Sequence, residues 1–340
     1  MTTLKLNLGE RGYDISIGNN ILSDAGKLMN LDRRVFIVTD SGVPRKYAEA
    51  IAAAAKSAVI YTVPEGEGSK SLRVMKDVLS AMLDFKMSRK DCAVAVGGGV
   101  VGDLTGFAAA SYMRGIDFYN VPTTLLSQVD SSIGGKTAVN LGGIKNVVGA
   151  FYQPKAVLID TDTLKTLPKR QISAGLAEAV KMSLTSDKEL FEFFEREDIT
   201  EENVGYVIEK ALLIKKSVVE CDERESGLRK ILNFGHTFGH GIEAEEEMAG
   251  LYHGECVALG MIPMCSPLVR ERLKKVLARL GLPTKYTGDV DRALNYVVHD
   301  KKTSNGTVEA IFVDTPGSFR IDRLSVDEYS KTVKERLGLL

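Results

Sequence analysis

Three short apolar runs, RVFIVTD, AVIYTV and DCAVAVGGG, follow one another between residues 34 and 99. Two amphipathic stretches separate them, one from about Pro44 to Lys56 and one from about Ser69 to Phe85. No other feature limits the fold so narrowly. Apolar runs rich in β-branched residues are strands buried on both faces, and strands joined by helices lie parallel, so a parallel sheet covered on both sides follows. LKLNL and YDISI read as a hairpin with Gly9 to Gly12 near its turn, and IDFYNVPTT and AVLIDTDTL as further strands. After about Thr166 the period changes. QISAGLAEAVKMSLT, NVGYVIEKALLIKKSVVECDERE, RKILNFGHTFGHGIEAEEEMAG, HGECVALGMIPM and SPLVRERLKKVLARLGLP space their apolar residues as helices do, with Pro263 and Pro267 as breaks. One late strand, VEAIFVD, interrupts them. The expected fold is an α/β, Rossmann-like domain over residues 1–166 and a mainly α-helical domain over 167–340.

Charge and hydropathy exclude whole classes of function. Lys and Arg number 44 against 45 Asp and Glu, for a formal net charge of −1, and the basic residues are dispersed. Nucleic-acid binding would need a basic patch. No run approaches the ~18 apolar residues of a membrane span. The N-terminus MTTLKLNLGERGYDISIG alternates apolar and polar residues and does not read as a signal peptide. Cys92, Cys221, Cys256 and Cys265 form no C-x-x-C, so a reduced, cytoplasmic protein is expected, each cysteine serving as a small core residue.

The turn in AVAVGGGVVGDLTGFAAA places Gly97, Gly98, Gly99 and Gly102 between a buried strand and a helix. Gly97, Gly99 and Gly102 satisfy G-x-G-x-x-G. Glycines there let the backbone approach a pyrophosphate, and the helix N-terminus supplies free N–H groups. A tight turn with close helix–strand packing would use the same residues. The motif follows a late strand, and no acidic residue closes a strand about 20 positions on. Asp40, ending VFIVTD, is the alternative ribose contact, with PEGEGSK (64–70) and PTT (122–124) as neighbouring loops. A nicotinamide nucleotide spread over several strand ends is the resulting expectation.

Three of the chain's four histidines, His236, His240 and His253, lie within eighteen positions. His236 and His240 share a helix face, and either they bind one metal together or they divide the labour. Glu178 lies on a small, apolar helix face in GLAEAVKM, where a charge needs coordination or a partner such as Lys181. Arg229, Asn233, His236 and His240 recur at spacings of four, three and four, which reads as one continuous helix face suited to an anion. Asp130, Lys136, Lys145, Asn146, Lys215 and Glu225 add polar groups in flanking stretches. The acidic run Glu243–Glu247 reads as the solvated end of a helix. A metal, a nicotinamide and an anionic, phosphorylated small substrate form one reading: the metal polarises an alcohol and the nicotinamide takes its hydride.

Five stretches in order, GGGVVGDLTGFAAASYMRG, VPTTLLSQVDSSIGGKTAVN, GLAEAVK, DERESGLRKILNFGHTFGHGIE and HGE, closely resemble the 3-dehydroquinate synthases, shikimate-pathway enzymes of the sugar phosphate cyclase group. The resemblance runs from about residue 30 to 260 and resumes at HDKK. It implies a homodimer, NAD, zinc or cobalt, and 3-deoxy-D-arabino-heptulosonate 7-phosphate as substrate. C5 is oxidised, phosphate eliminated, C5 reduced, the ring opened and a carbocycle closed by an aldol step, with NAD regenerated.

Carried over by resemblance, the metal ligands are Glu178, His236 and His253. His240 takes the phosphate side and proton handling, and Glu225 matches a proton acceptor. Lys136, Lys215, Arg229, Asn233 and Lys301 match substrate contacts, and Arg114 matches an arginine delivered by the partner subunit. Asp130, Lys145, Asn146 and Lys181 surround the reacting hydroxyls and nicotinamide. The NAD positions are Asp40, Glu65, Gly66, Glu67, Lys70, Gly99, Val100, Val101, Gly102, Asp103, Thr123, Thr124, Thr163, Leu164, Lys165 and Thr166, together with Lys136 and Lys145. Cyclases acting on glucose 6-phosphate or sedoheptulose 7-phosphate are one rival, but their substrates lack the carboxylate that Lys215, Arg229 and Asn233 together suit. A glycerol dehydrogenase-type enzyme is another, and it would consume NAD and release no phosphate.

Overall fold

The computed structural model describes residues 1–225, 227–245, 250–299 and 306–339. The chain forms two compact units, Met1–Leu167 and Pro168–Leu340.

The first unit is built on a seven-stranded sheet. Its elements are β1 (Thr2–Leu6), β2 (Tyr13–Gly18), α1 (Ala25–Leu28), β3 (Arg34–Asp40), α2 (Arg45–Ala53), β4 (Ser57–Val63), α3 (Leu72–Asp84), β5 (Cys92–Gly97), α4 (Gly99–Ser111), β6 (Asp117–Pro122), β7 (Lys136–Leu141), β8 (Ile144–Phe151) and β9 (Ala156–Asp160). The strand order is β1-β2-β9-β6-β5-β3-β4. β1 and β2 are antiparallel, and every other pair in the sheet is parallel. The period of two along β3 explains its unbroken apolar sequence. Phe36 and Val38 join α3 and α4 in one core, while Val35 and Ile37 join α1 and α2 in the other. From β3 the chain steps outward to β4 and returns on the other side at β5. The carboxyl ends of β3 and β5 thus flank a topological switch point, where α/β sheets bind ligands.

β7 and β8 form a separate antiparallel hairpin, which the sequence reading treated only as a glycine-rich stretch with basic residues. Exposure explains the miss. β8 has no buried residue, so it lacks the alternation that marks a half-buried strand.

The second unit contains α5 (Lys169–Ser186), α6 (Lys188–Arg196), α7 (Val204–Cys221), α8 (His236–Glu245), α9 (His253–Met261), α10 (Pro267–Arg279), α11 (Val290–His299), β10 (Thr307–Phe312), β11 (Arg320–Ser325) and α12 (Val326–Leu337). α5 is its central helix, with every residue from Ala174 to Thr185 buried. The single late strand expected from sequence is one arm of a hairpin, since β11 pairs antiparallel with β10. Among the described residues no helix is long and apolar enough to cross a membrane.

The continuous helix face expected from Arg229 to His240 is not continuous. Residues Leu228–Asn233 form a 3-10 turn, Phe234 is extended at ψ 128°, and α8 begins afresh at His236. Gly235 makes the break with φ +74°, in the left-handed region. It also lies against the α9 backbone, where a Cβ would meet Met261 N at 2.9 Å and Val257 O at 3.0 Å.

Candidate active site

In the first unit the predicted cofactor residues gather at strand ends. Gly97 ends β5, Gly98 precedes α4, and Thr123 N–H donates to the Gly97 carbonyl at 3.0 Å. The glycines have separate reasons to be there. A Cβ on Gly97 would lie 2.6 Å from Val101, one on Gly98 3.0 Å from Thr124, and one on Gly99 3.0 Å from Ser131 Oγ. Gly102 N–H already closes the first helical turn onto the Gly98 carbonyl. The N–H groups of Gly99, Val100 and Val101 belong to the first turn, which has no intrahelical acceptor for them, and that is the arrangement an anion uses.

Asp40, at the end of β3, accepts from Gly42 N–H at 2.8 Å and Val43 N–H at 3.1 Å. Burial, helped by the Glu65 carboxylate, raises its carboxyl above the ordinary value despite those two donors. Glu65 lies so close over Gly42 that a Cβ there would meet its Oε2 at 2.3 Å. Two carboxylates therefore sit together beside the switch point, a pairing suited to ribose hydroxyls. Lys70 is buried and pairs with Asp103 Oδ2 at 2.5 Å, linking the 64–70 loop to α4.

Asn140, which sequence reasoning passed over, holds this loop. Its N–H donates to the Lys70 carbonyl at 2.9 Å, its Nδ2 to Glu67 Oε1 at 2.7 Å, and its Oδ1 accepts from Asn146 N–H at 2.9 Å. Asn146 itself has φ +55°. Gln128 is a second omission. It is fully buried, and its Nε2 reaches the Pro122 carbonyl, the Asp160 carbonyl and Thr163 Oγ1 at 3.1, 3.1 and 3.0 Å. A lone amide among Leu125, Leu126 and Val129 was the available signal. Thr163 and Leu164 are buried, Thr166 Oγ1 meets Tyr47 Oη at 3.0 Å, and Lys165 pairs with Asp162 at 3.0 Å. Asp130 lies in a π-helical turn over Ser127–Ser131, an irregularity common at functional sites. Lys136, Lys145 and Asn146 lie exposed on the β7–β8 hairpin. Arg114 is also exposed, with φ +69°.

The second unit brings four sequence-predicted residues together. Glu178 Oε1 lies 3.5 Å from His253 Nε2 and 3.7 Å from His236 Nε2. The His236 ring centroid is 5.3 Å from that of His240 and 5.2 Å from that of His253. The three histidines each offer a nitrogen within 4.8 Å of the others, the one such group among the described residues. Four ligands ~2.05 Å from a tetrahedral ion stand about 3.3 Å apart, and the two Glu178–histidine separations of 3.7 and 3.5 Å are of that size.

The other ring nitrogens are engaged. His236 Nδ1 lies 3.1 Å from the Phe234 carbonyl and His253 Nδ1 lies 3.1 Å from Glu243 Oε2. Backbone carbonyl and carboxylate partners of this kind orient metal-binding imidazoles. Glu243 is therefore not simply a solvated residue, as its acidic run suggested; residues 246 and 247 of that run lie outside the described residues.

Glu178 and Lys181 are each 1% exposed and in direct ionic contact, so the ion pair that the sequence offered as an alternative is present. Neither Glu178 oxygen is satisfied by a hydrogen bond of ordinary geometry, which a buried carboxylate tolerates poorly. Burial opposes its ionisation, but Lys181 and His253 outweigh burial and hold the carboxyl at about 2. Burial likewise opposes a charge on His253, yet the facing Glu178 and Glu243 carboxylates raise its imidazole to about 10.

The anion candidates lie in the same unit. Lys215, on α7, is 4% exposed, and Arg229 is 2% exposed with one guanidinium nitrogen donating to the Glu223 carbonyl. Asn233 Nδ2 donates to Glu225 Oε1 at 2.8 Å. Glu225 has φ +61°, a conformation that costs a non-glycine residue energy and recurs at functional sites. Asp222 braces the loop, accepting from Gly227 N–H at 2.7 Å and Arg229 N–H at 3.0 Å. Lys301, and Lys302 beside it, lie outside the described residues.

Comparison with known proteins agrees with this arrangement. The 3-dehydroquinate synthase N-terminal family matches residues 60–174 and the 3-dehydroquinate synthase C-terminal family matches residues 175–303. A 3-dehydroquinate synthase of Sulfurovum sp. (strain NBC37-1) is 43% identical over 323 residues, covering 91% of this chain and 90% of that protein. Among solved structures, 2-deoxy-scyllo-inosose synthase complexed with carbaglucose-6-phosphate, NAD+ and Co2+ superposes with a TM-score of 0.89 at 28% identity, covering 98% of this chain and 100% of the other. The 2-epi-5-epi-valiolone synthase of Streptomyces hygroscopicus subsp. jinggangensis 5008, with NAD+ and Zn2+ bound, gives 0.85 at 25% identity, covering 96% of each chain. With both halves matched and a 43% identical relative aligned along nine-tenths of the sequence, the chain belongs to the 3-dehydroquinate synthase family.

Proposed function

We propose that the chain converts 3-deoxy-D-arabino-heptulosonate 7-phosphate to 3-dehydroquinate and phosphate, as a carbon–oxygen lyase that depends on NAD and a divalent metal. The observation that carries this reading is the buried Glu178 carboxylate, lacking ordinary hydrogen bonds, with the Nε2 atoms of two oriented histidines turned toward it, in a chain of this family. When bound, zinc or cobalt polarises the C5 hydroxyl, and NAD accepts its hydride and returns it.

The chain's own residues supply binding, orientation and proton handling. Glu178, His236 and His253 hold the metal, and Lys181 keeps the Glu178 carboxylate ionised. His240 serves the phosphate side, and a C5 ketone makes the neighbouring C–H acidic enough for phosphate to leave. Lys215, Arg229, Asn233 and Lys136 supply the cations and amide that suit a substrate carrying carboxylate and phosphate. Glu225 stands within hydrogen-bond distance of Asn233 as a proton acceptor. By family resemblance Asp130, Lys145 and Asn146 serve the reacting hydroxyls and the nicotinamide, and Lys301 is a further substrate contact. Asp40 and Glu65 take the ribose hydroxyls, the first turn of α4 takes the pyrophosphate, and Glu67, Lys70, Thr123, Thr124 and residues 163–166 line the remaining cofactor path.

The active form is a homodimer in which Arg114 serves the partner's site. Two features support it: Arg114 is exposed beside Met113, and the β7–β8 hairpin exposes Leu141, Ile144, Val147 and Phe151 at 50, 50, 38 and 44%.

Substrate discrimination tests the reading. Purified protein with zinc and a trace of NAD should release phosphate from the heptulosonate phosphate and lose that activity to a chelator. Release only from glucose 6-phosphate or sedoheptulose 7-phosphate would assign it to a different cyclase. The 43% identity to a named 3-dehydroquinate synthase, against 28% to the inosose synthase, favours the first outcome.

A further inference from the structure

The triplet HGE, residues 253–255, has so far given up only its histidine. On α5, Arg170, Ala174 and Glu178 recur every four residues and share one helix face. That face meets the first turn of α9 residue by residue. Glu178 faces His253 at 3.5 Å. The Ala174 carbonyl oxygen would lie 1.9 Å from a Cβ on Gly254, so only glycine fits there. Arg170 grips Glu255 with both arms, Nε to Oε1 and Nη2 to Oε2, each at 2.7 Å.

The grip is fixed on further sides. Arg170 Nη2 also donates to the Gly250 carbonyl at 2.7 Å, and the guanidinium stacks 4.7 Å over the Tyr252 ring. Glu255 Oε2 accepts from Tyr252 N–H at 2.7 Å, closing a capping box on α9, and Glu255 is 5% exposed. An exposed ion pair contributes little to stability. A bidentate pair on a buried carboxylate, stacked and tied to the chain before the helix, fixes direction and rotation instead. It sets the angle at which α9 presents His253 to Glu178.

We propose that Arg170 and Glu255 are positioning residues for the metal site, setting the geometry between the Glu178 and His253 ligands without touching the ion. The proposal rests on the ligand assignment above. Outer partners of metal ligands typically change affinity 10–100-fold when removed.

The test uses the full chain and three variants, Arg170→Lys, Arg170→Gln and Glu255→Gln. Zinc affinity is measured by competition with a chromophoric chelator, and the visible spectrum of the cobalt-loaded protein reports coordination geometry. Arg170→Gln and Glu255→Gln should bind zinc 10–100-fold more weakly with a shifted cobalt spectrum, while NAD affinity stays at the wild-type value. Arg170→Lys, which keeps the charge but not the fork, should fall between them and wild type. Wild-type zinc affinity and cobalt spectrum in both Arg170 variants would overturn the clamp. His236→Ala separates the two ideas: if it retains zinc the ligand assignment fails, whereas zinc loss there with no change in the Arg170 variants defeats the clamp alone.

Discussion

Gly260→Ala sets two physical effects against each other. Gly260 lies in α9, seven residues after His253, and on the same face. Helix propensity alone predicts that alanine stabilises the protein by about 1 kcal/mol. Packing predicts the reverse. A Cβ at Gly260 would lie 2.0 Å from the Gly235 carbonyl oxygen and 2.8 Å from Gly239 N, both backbone atoms of the neighbouring segment. Ordinary contact begins at 3.4 Å, so α8 and α9 would have to part by about 1.4 Å. Overpacking of this kind costs roughly 1–3 kcal/mol, and rigid backbone on both sides places it at the upper end. The net expectation is destabilisation by about 1–2 kcal/mol. The metal suffers more, because ligand distances tolerate only ~0.2 Å. With His236 on α8 and His253 on α9, zinc affinity should fall by at least roughly tenfold. Thermal unfolding with and without zinc, together with chelator competition, measures both effects. A variant that melts higher than wild type and keeps its zinc affinity would refute the close-packing argument.

Other substitutions reach other parts of the account. His236→Ala should lose zinc, whereas His240→Ala should keep zinc and lose turnover; an empty metal site in His240→Ala, read by metal analysis after dialysis, would end that division. Asn140→Ala should weaken NAD binding about tenfold by freeing Glu67 and the Asn146 N–H, at roughly 1 kcal/mol per hydrogen bond lost, and leave zinc affinity unchanged; unchanged NAD titration would remove its role. Burial pushes the Cys92 and Cys265 thiols up to about 11 and about 12, Cys256 is fully buried and Cys221 is exposed. An aromatic disulfide reagent at pH 8 should therefore titrate one thiol in the native protein and four after denaturation; rapid native reaction of more than one would contradict the described core.

The parallel sheet was legible because its strands are buried on both faces, and burial leaves an unbroken apolar run that needs no partner to be recognised. The cluster of Glu178 with three histidines was legible because histidine is rare in this chain and Glu178 sits where an unpaired charge is costly. What escaped reading depends on tertiary contact. Gly235 fits the helical period of its neighbours, and only the adjacent α9 backbone shows why the helix breaks there. β8 and β11 bury none of their residues, so neither carries a buried apolar stripe. Asn140, Gln128 and Glu243 act through partners between 6 and 73 positions away, and spacing along the chain is silent about such pairs.

The central claim is that NAD is used and regenerated within each turnover. The most direct measurement is the molar ratio of phosphate released to NAD supplied, with absorbance followed for NADH, using the zinc-loaded protein and 3-deoxy-D-arabino-heptulosonate 7-phosphate. The account predicts many phosphates per NAD and no accumulating NADH. One NADH for each substrate oxidised, with phosphate retained on the product, would contradict it and identify a dehydrogenase.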